Sequence, residues 1–168
     1  MPRIYLSLGS NVDAEANLRL GIASLEARYG ELEMSPVYRN KAVGFEGDDF
    51  LNLVVGFDSE ATVESIAEAI ESIHRAAGRD RSQPRYSSRT LDIDLLTWGD
   101  AVIDDGSTRL PRADVLEYAF VLKPLADIAA GDTHPVTRRS YGDHWREMSE
   151  EPNDLRAVDI RLRPNGDV

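Results

Sequence analysis

The 168-residue sequence contains no cysteine, which excludes a disulfide framework, a thiol nucleophile and any thiolate-ligated zinc or iron–sulfur centre. It also lacks an apolar run long enough to cross a bilayer, and its opening stretch, MPRIYLSLGSN, has neither the apolar core nor the small-residue cleavage site of a signal peptide. A cytoplasmic protein is expected. Positive charge is scarce: the formal net charge is −11, and Lys41 and Lys123 are the only lysines among nineteen basic residues. Such a balance argues against nucleic-acid and anionic-membrane partners, which need an electropositive face. There is no G-x-x-x-x-G-K-[ST] phosphate cradle. His74, His134 and His144 show no metal-ligand spacing, so a zinc site is not expected and His134 and His144 read as surface or structural groups.

What remains suffices for one domain spanning residues 1–168, because 42% of the residues are hydrophobic and the length allows a buried core. A monomer is the default expectation. One segment breaks the acidic trend. Arg75, Arg79, Arg81, Arg85 and Arg89 stand against a single acid, Asp80, a local charge of +4 that leaves −15 on the rest of the chain. Arginines in a loop are commonly solvated surface, but five of them in so acidic a chain point to an anion site.

The periodicities predict an α+β fold. Ile4, Leu6 and Leu8 alternate as a strand, and Gly9-Ser10-Asn11 turns it into a helix capped by Asn11 or Asp13. Leu18, Ile22, Leu25 and Tyr29 step by four and three along that helix, which Gly30 stops. Strands are expected over Met34–Arg39 and Phe50–Phe57. A second amphipathic helix carries Val63, Ile66, Ile70 and Ile73 and ends at Gly78. Residues 79–88 read as a long loop, and a fourth strand runs from Arg89 to Trp98. The order β-α-β-β-α-β is the ferredoxin-like arrangement, with helices on one or both faces of an antiparallel sheet. Beyond it, 113–130 is weakly helical and interrupted by Pro124, 141–150 forms a short helix, and Ala157–Leu162 resembles a strand. Residues 131–168 thus make a C-terminal extension.

The stretch Arg89-Thr90-Leu91-Asp92-Ile93-Asp94-Leu95-Leu96 is the most informative. Strand periodicity sends Leu91, Ile93 and Leu95 to the core and projects Asp92 and Asp94 together from the other face. Two carboxylates about 7 Å apart along a strand suit hard cations such as Mg²⁺, which keep water and phosphate oxygens as further ligands. Alone, D-x-D is more often the solvated face of a strand. The arginine-rich loop that leads into it brings guanidinium groups to the same end of the sheet, and phosphoryl transfer needs both kinds of group.

Leu8-Gly9-Ser10-Asn11, Phe50-Leu51-Asn52, Gly78-Arg79-x-Arg81, the stretch from Arg89 to Leu96, and Ala119-Phe120-Val121-Leu122-x-Pro124-Leu125 occur in that order across residues 4–130. Together they resemble the 6-hydroxymethyl-7,8-dihydropterin pyrophosphokinase family. The resemblance implies transfer of the β,γ-pyrophosphoryl unit of ATP to the pterin hydroxymethyl group, with AMP released, as a step of folate biosynthesis. It also implies two Mg²⁺ ions held by Asp92 and Asp94, with Arg79 and Arg89 stabilising the transferred group. Phe50 and Phe120 would sandwich the pterin, Asn52 would bond its polar edge, and the backbone near Val43 would add contacts. Arg79, Arg81, Arg85 and Arg89 would bind the triphosphate.

Departures from the family pattern gather on the nucleotide side. Tyr86 stands where tryptophan is typical, Ser87-Ser88 replace a Gly-Pro-like pair, His74 a glutamate, Arg112 a histidine, and Ser107 and Tyr118 arginines. Arg109 and Arg112 are close enough in sequence to replace lost cations, and His74 joins the candidate ATP contacts. Two other readings stay open: a diverged relative acting on another hydroxymethyl heterocycle, and a noncatalytic module that binds pterin or nucleotide.

Overall fold

The computed structural model of the chain describes residues 1–78 and 90–163. Strand β1 (Arg3–Ser10) leads to helix α1 (Ala14–Tyr29), then β2 (Glu33–Met34), β3 (Val37–Asn40), β4 (Phe50–Asp58), α2 (Val63–Ala76) and β5 (Asp92–Trp98). A small hairpin of β6 (Ile103–Asp104) and β7 (Arg109–Leu110) follows, and then α3 (Asp114–Glu117), α4 (Ala119–Ala129), α5 (Tyr141–Met148) and β8 (Arg156–Val158). The main sheet has the order β5-β1-β4-β3-β8, with β2 also paired to β4. Every pairing in it is antiparallel. This is the ferredoxin-like α+β core, widened by one strand from the C-terminal extension.

Both faces of the sheet are covered. On one, Ile4, Leu6 and Leu8 of β1, Leu53, Val55 and Phe57 of β4 and Ile93 of β5 share a core with Leu18, Ile22 and Leu25 of α1 and Ile66, Ile70 and Ile73 of α2. On the other, Tyr5, Val54 and Leu96 meet Val121, Leu122 and Leu125 of α4 and Tyr141 of α5. Each fully buried Leu or Ile side chain stabilises by about 1.5–3 kcal/mol, so the two layers clamp the sheet from both sides. The extension takes part: Leu162 enters the first core, and the Arg163 guanidinium donates to the Glu26 carboxylate at 3.0 Å and to the Leu32 carbonyl at 2.6 Å.

Several elements differ from the sequence expectation for identifiable reasons. The single strand expected over Met34–Arg39 is split into β2 and β3, because Pro36 has no N–H to donate. Ser35 bridges the gap with its backbone N–H on the Val54 carbonyl and its hydroxyl accepting from Val54 N–H, both at 2.9 Å. Neither Asn11 nor Asp13 caps α1 through its side chain. Asp13 sits at the cap position in the left-handed region, φ 42°, with no side-chain cap bond, while Asn11 Nδ2 donates to the Asp48 carbonyl at 3.0 Å. Gly78, φ +81°, does follow the end of α2 and donates its N–H to the Arg75 carbonyl.

In β5 the pairing with β1 shifts between Tyr5 and Leu6, so Leu95 opposes Leu6 and Thr97 opposes Tyr5. Leu96 is the extra residue of a bulge. Alternation holds through Leu95, which packs against the first core, and breaks after it: Leu96 fills the second core, and Thr97, opposite Tyr5, follows on that same side. Pro124 does not interrupt the later helix. The break falls at Tyr118, whose backbone is extended, and α4 runs through Pro124. The expected strand Ala157–Leu162 is shorter and begins earlier, at Arg156, where it pairs with β3.

Candidate active site

Strand register assembles the central residues. Asp92 of β5 lies opposite Gly9 of β1, Gly9 lies opposite Asn52 of β4, and Asn52 lies opposite Tyr38 of β3. The neighbouring row is Asp94, Ser7 and Val54. Val54 packs towards α4 and Ile93 towards α2, so both aspartates leave the sheet on the α4 face, as strand periodicity requires. Gly9 is compulsory in this row: a Cβ there would lie 2.5 Å from Asn52 Oδ1. The absence of a side chain lets the Asn52 amide lie flat on β1, where it donates to Asn40 Oδ1 of β3. The register also sets Phe50 opposite Asn40 at the mouth of the same face.

Ser10 and Asn11 secure the surroundings of that row. The Ser10 hydroxyl donates to the Thr90 carbonyl at 2.5 Å, just ahead of the aspartates, and Asn11 holds the Asp48 carbonyl from the loop 41–49. At the loop's start, Lys41 N–H donates to Asp154 Oδ2 at 2.7 Å. Near its end, Arg156 lies 3.9 Å from Asp49. Within the loop, Val43 is 46% exposed, and Phe45 meets Phe50 edge to face with centroids 6.3 Å apart. Phe120, in the first turn of α4, stacks on Tyr118 at 4.9 Å.

Arg112 reaches the aspartates from beyond β7. Its backbone N–H donates to the Leu96 carbonyl at 2.9 Å. Its Nη2 lies 3.5 Å from Asp94 Oδ1 and its Nε 3.3 Å from Asp114 Oδ2. Burial disfavours its charge, but Asp94, Asp114 and Asp92 outweigh that and raise its pKa. The Nε atom is buried without a hydrogen-bond partner among the described residues, because the Asp114 approach is close but poorly aligned. Anionic oxygens arriving beside Asp94 would meet a guanidinium already in place.

The expected residues therefore separate into groups. Asp92, Asp94, Asn52, Phe50 and Arg112 are placed at one end of one sheet face. Arg109 is exposed on the β6–β7 hairpin. His74, expected near the nucleotide, is 3% exposed and its Nε2 accepts the Ile93 N–H at 2.9 Å; it grips the strand from the α2 side. Arg79, Arg81, Arg85 and Arg89 lie outside the described residues. Asn40 and Asp114 escaped the sequence reading, and Gly9 entered it only as a turn and motif residue, not as the floor beneath Asn52. Of these only Gly9 left a signal, as a glycine at the strand end facing a predicted strand asparagine.

Among the described residues no three acidic or imidazole groups converge as a metal cluster. A two-carboxylate set nonetheless fits Mg²⁺, which is typically held by one or two carboxylates with waters and phosphates completing its shell. A cavity of about 340 Å³ lined by Arg3, Tyr5, Thr97, Asp132 and Tyr141 lies elsewhere on the same face. Tyr5 is four residues from Gly9 along β1, roughly 13 Å, but only two from Ser7, the partner of Asp94, roughly 7 Å, so the cavity neighbours the Asp94 row without including either aspartate in its lining.

The sequence model for 7,8-dihydro-6-hydroxymethylpterin-pyrophosphokinase (HPPK) matches residues 5–130. The chain belongs to the HPPK family. The 2-amino-4-hydroxy-6-hydroxymethyldihydropteridine pyrophosphokinase of Methylorubrum extorquens is 40% identical over 133 residues, which cover 77% of this chain and 84% of that protein. The enzyme of the same name from Aquifex aeolicus is 29% identical over 154 residues, 90% of this chain and 96% of that one. In fold the chain is similar to the crystal structure of Plasmodium falciparum HPPK-DHPS wild type with pteroate, at a TM-score of 0.71 and 12% identity over 89% of this chain. The chain spans 44% of that longer polypeptide, so this likeness speaks for the fold of an HPPK domain.

Proposed function

We propose that the chain transfers the β,γ-pyrophosphoryl unit of ATP to the hydroxymethyl oxygen of 6-hydroxymethyl-7,8-dihydropterin, in folate biosynthesis. Supporting this reading above all is the row Asp92, Gly9, Asn52, which sets a carboxylate-bearing strand beside a largely buried amide with a glycine between them. Asn52 would read the polar edge of the pterin, and Phe50 and Phe120 would stack on its rings. Val43 and its loop neighbours would close one side. The hydroxymethyl oxygen forms a bond to the β-phosphorus while the bond from that phosphorus to the α,β-bridging oxygen breaks and AMP leaves. The chain supplies no nucleophile; it holds the two substrates in line.

Asp92 and Asp94 would hold Mg²⁺, two ions in the full complex, and the ions supply charge neutralisation on the phosphate oxygens. Arg112 contributes its guanidinium next to Asp94, and Arg79, Arg81, Arg85, Arg89 and Arg109 would add triphosphate contacts. His74 belongs to this set only through the strand it grips. We read residues 1–168 as one domain acting as a monomer in the cytoplasm. In keeping with that reading, two cores share one sheet and no described helix is long and apolar enough to cross a membrane.

The test is product identity. Purified protein with ATP and the pterin should yield AMP, and the yield should require both Mg²⁺ and the hydroxymethyl group. ADP as the product, or AMP formed equally from other hydroxymethyl heterocycles, would contradict the assignment.

A further inference from the structure

We infer that His74 is a positioning residue for the carboxylate pair, acting through the backbone of Ile93. The inference rests on the pyrophosphokinase reading and adds to it a residue that touches neither substrate. Among the described residues, strand β5 is an edge of the main sheet, paired only with β1. On the outer side of an edge strand, amides lack a ladder partner and the strand is free to twist or slide. Ile93 is the residue between Asp92 and Asp94, and its N–H belongs to the peptide unit that starts at Asp92. That N–H is donated to His74 Nε2 at 2.9 Å, inside the protein.

Ile93 is therefore held twice, by its side chain in the core beneath α2 and by its amide on His74. Any rotation of the Asp92–Ile93 peptide would redirect both carboxylates, one on each side of it. The imidazole is itself oriented. Its Nδ1 lies 3.5 Å from Glu71, one turn earlier on α2, which favours the proton on Nδ1 and leaves Nε2 as the acceptor. With the ring 3% exposed, water has little room to take its place. The chain thus links Glu71, His74 and the Ile93 amide to the spacing of two carboxylates on the opposite face.

A merely structural histidine would alter stability alone, whereas a positioning one must alter the metal requirement. The measurements are melting temperature, kcat, KM for pterin, the Mg²⁺ concentration giving half the maximal rate, and Mn²⁺ affinity by electron paramagnetic resonance with α,β-methylene ATP. His74→Gln, whose amide oxygen can still accept, should stay within about threefold of wild type in all kinetic values. His74→Leu should raise the Mg²⁺ requirement and the Mn²⁺ dissociation constant about tenfold or more and lower kcat, with the pterin KM within twofold. A folded His74→Leu protein with wild-type metal affinity overturns the inference, as does equal loss in the Gln and Leu variants. Should His74→Leu fail to fold, Glu71→Ala decides: Mn²⁺ affinity weakened about threefold supports the inference, and unchanged affinity overturns it. Wild-type protein that binds Mn²⁺ and nucleotide, loses metal affinity on His74→Leu, yet forms no AMP would support the positioning role and overturn the reaction. Absence of Mn²⁺ binding in wild type would overturn both.

Discussion

Gly9 and Asn52 face each other across β1 and β4 so closely that a methyl group on Gly9 would stand 2.5 Å from the Asn52 amide oxygen. A contact that short forces the amide to move. Gly9→Ala should therefore displace the group proposed to read the pterin edge while leaving the aspartates in place. We expect the pterin KM to rise about tenfold and stability to fall by about 1–3 kcal/mol, the usual cost of overpacking. The ATP KM should stay within twofold, and an unchanged pterin KM would remove Asn52 from the pterin site.

Arg112 sits 3.5 Å from Asp94 and 3.3 Å from Asp114. Its side chain is about two-fifths exposed, so solvent screens the pair and its worth is modest, about 1 kcal/mol or less. Arg112→Ala should weaken ATP binding about three- to tenfold, measured by calorimetry, with a larger effect at low ionic strength. An effect independent of salt would point to packing and not to charge.

Asp154 ties the C-terminal extension to the loop that carries Val43, through the Lys41 N–H at 2.7 Å. The bond is exposed and its loss costs about 1 kcal/mol. Asp154→Ala should raise the pterin KM about three- to fivefold with kcat and the ATP KM little changed. A change in the ATP KM alone would contradict the loop's proposed side of the site.

His134 is buried, and its Nδ1 accepts the N–H groups of Val136 and Thr137, both at 3.2 Å. Burial, with His144 nearby, holds its pKa below the usual 6.5; burial and Arg139 lower that of His144 as well. A lowered folded pKa means that the unfolded chain takes up the proton first. The stability contributed is complete above about 6.5 and is lost as pH falls from there through the folded values. The melting temperature should drop between pH 7.5 and 5, and the double variant His134→Asn, His144→Asn should flatten that drop. An equal slope in the variant would assign it to other groups.

Much of this fold is legible in the sequence, because Leu18, Ile22 and Leu25 or Ile66, Ile70 and Ile73 state one buried helix stripe each. What escapes is what a second layer adds. Alternation puts Leu96 on the α4 face, where it sits, but the bulge that brings Thr97 to that face as well shows only in the register with Tyr5. The strand expected over Ala157–Leu162 forms only at Arg156–Val158, because its extent is set by the edge that β3 offers it and not by its own residues. At the site, D-x-D announced its own geometry. His74 did not, since a histidine near a helix end does not disclose whether it faces nucleotide or the neighbouring strand.

The central claim is that Asp92 and Asp94 together hold the metal-bound phosphates of the nucleotide. Single-turnover AMP release at saturating Mg²⁺, ATP and pterin, compared among wild type, Asp92→Asn and Asp94→Asn, tests it most directly. Loss of several kcal/mol of transition-state stabilisation predicts a fall of about a thousandfold in each variant, with melting temperatures near that of wild type. Folded variants that release AMP within tenfold of the wild-type rate would contradict it.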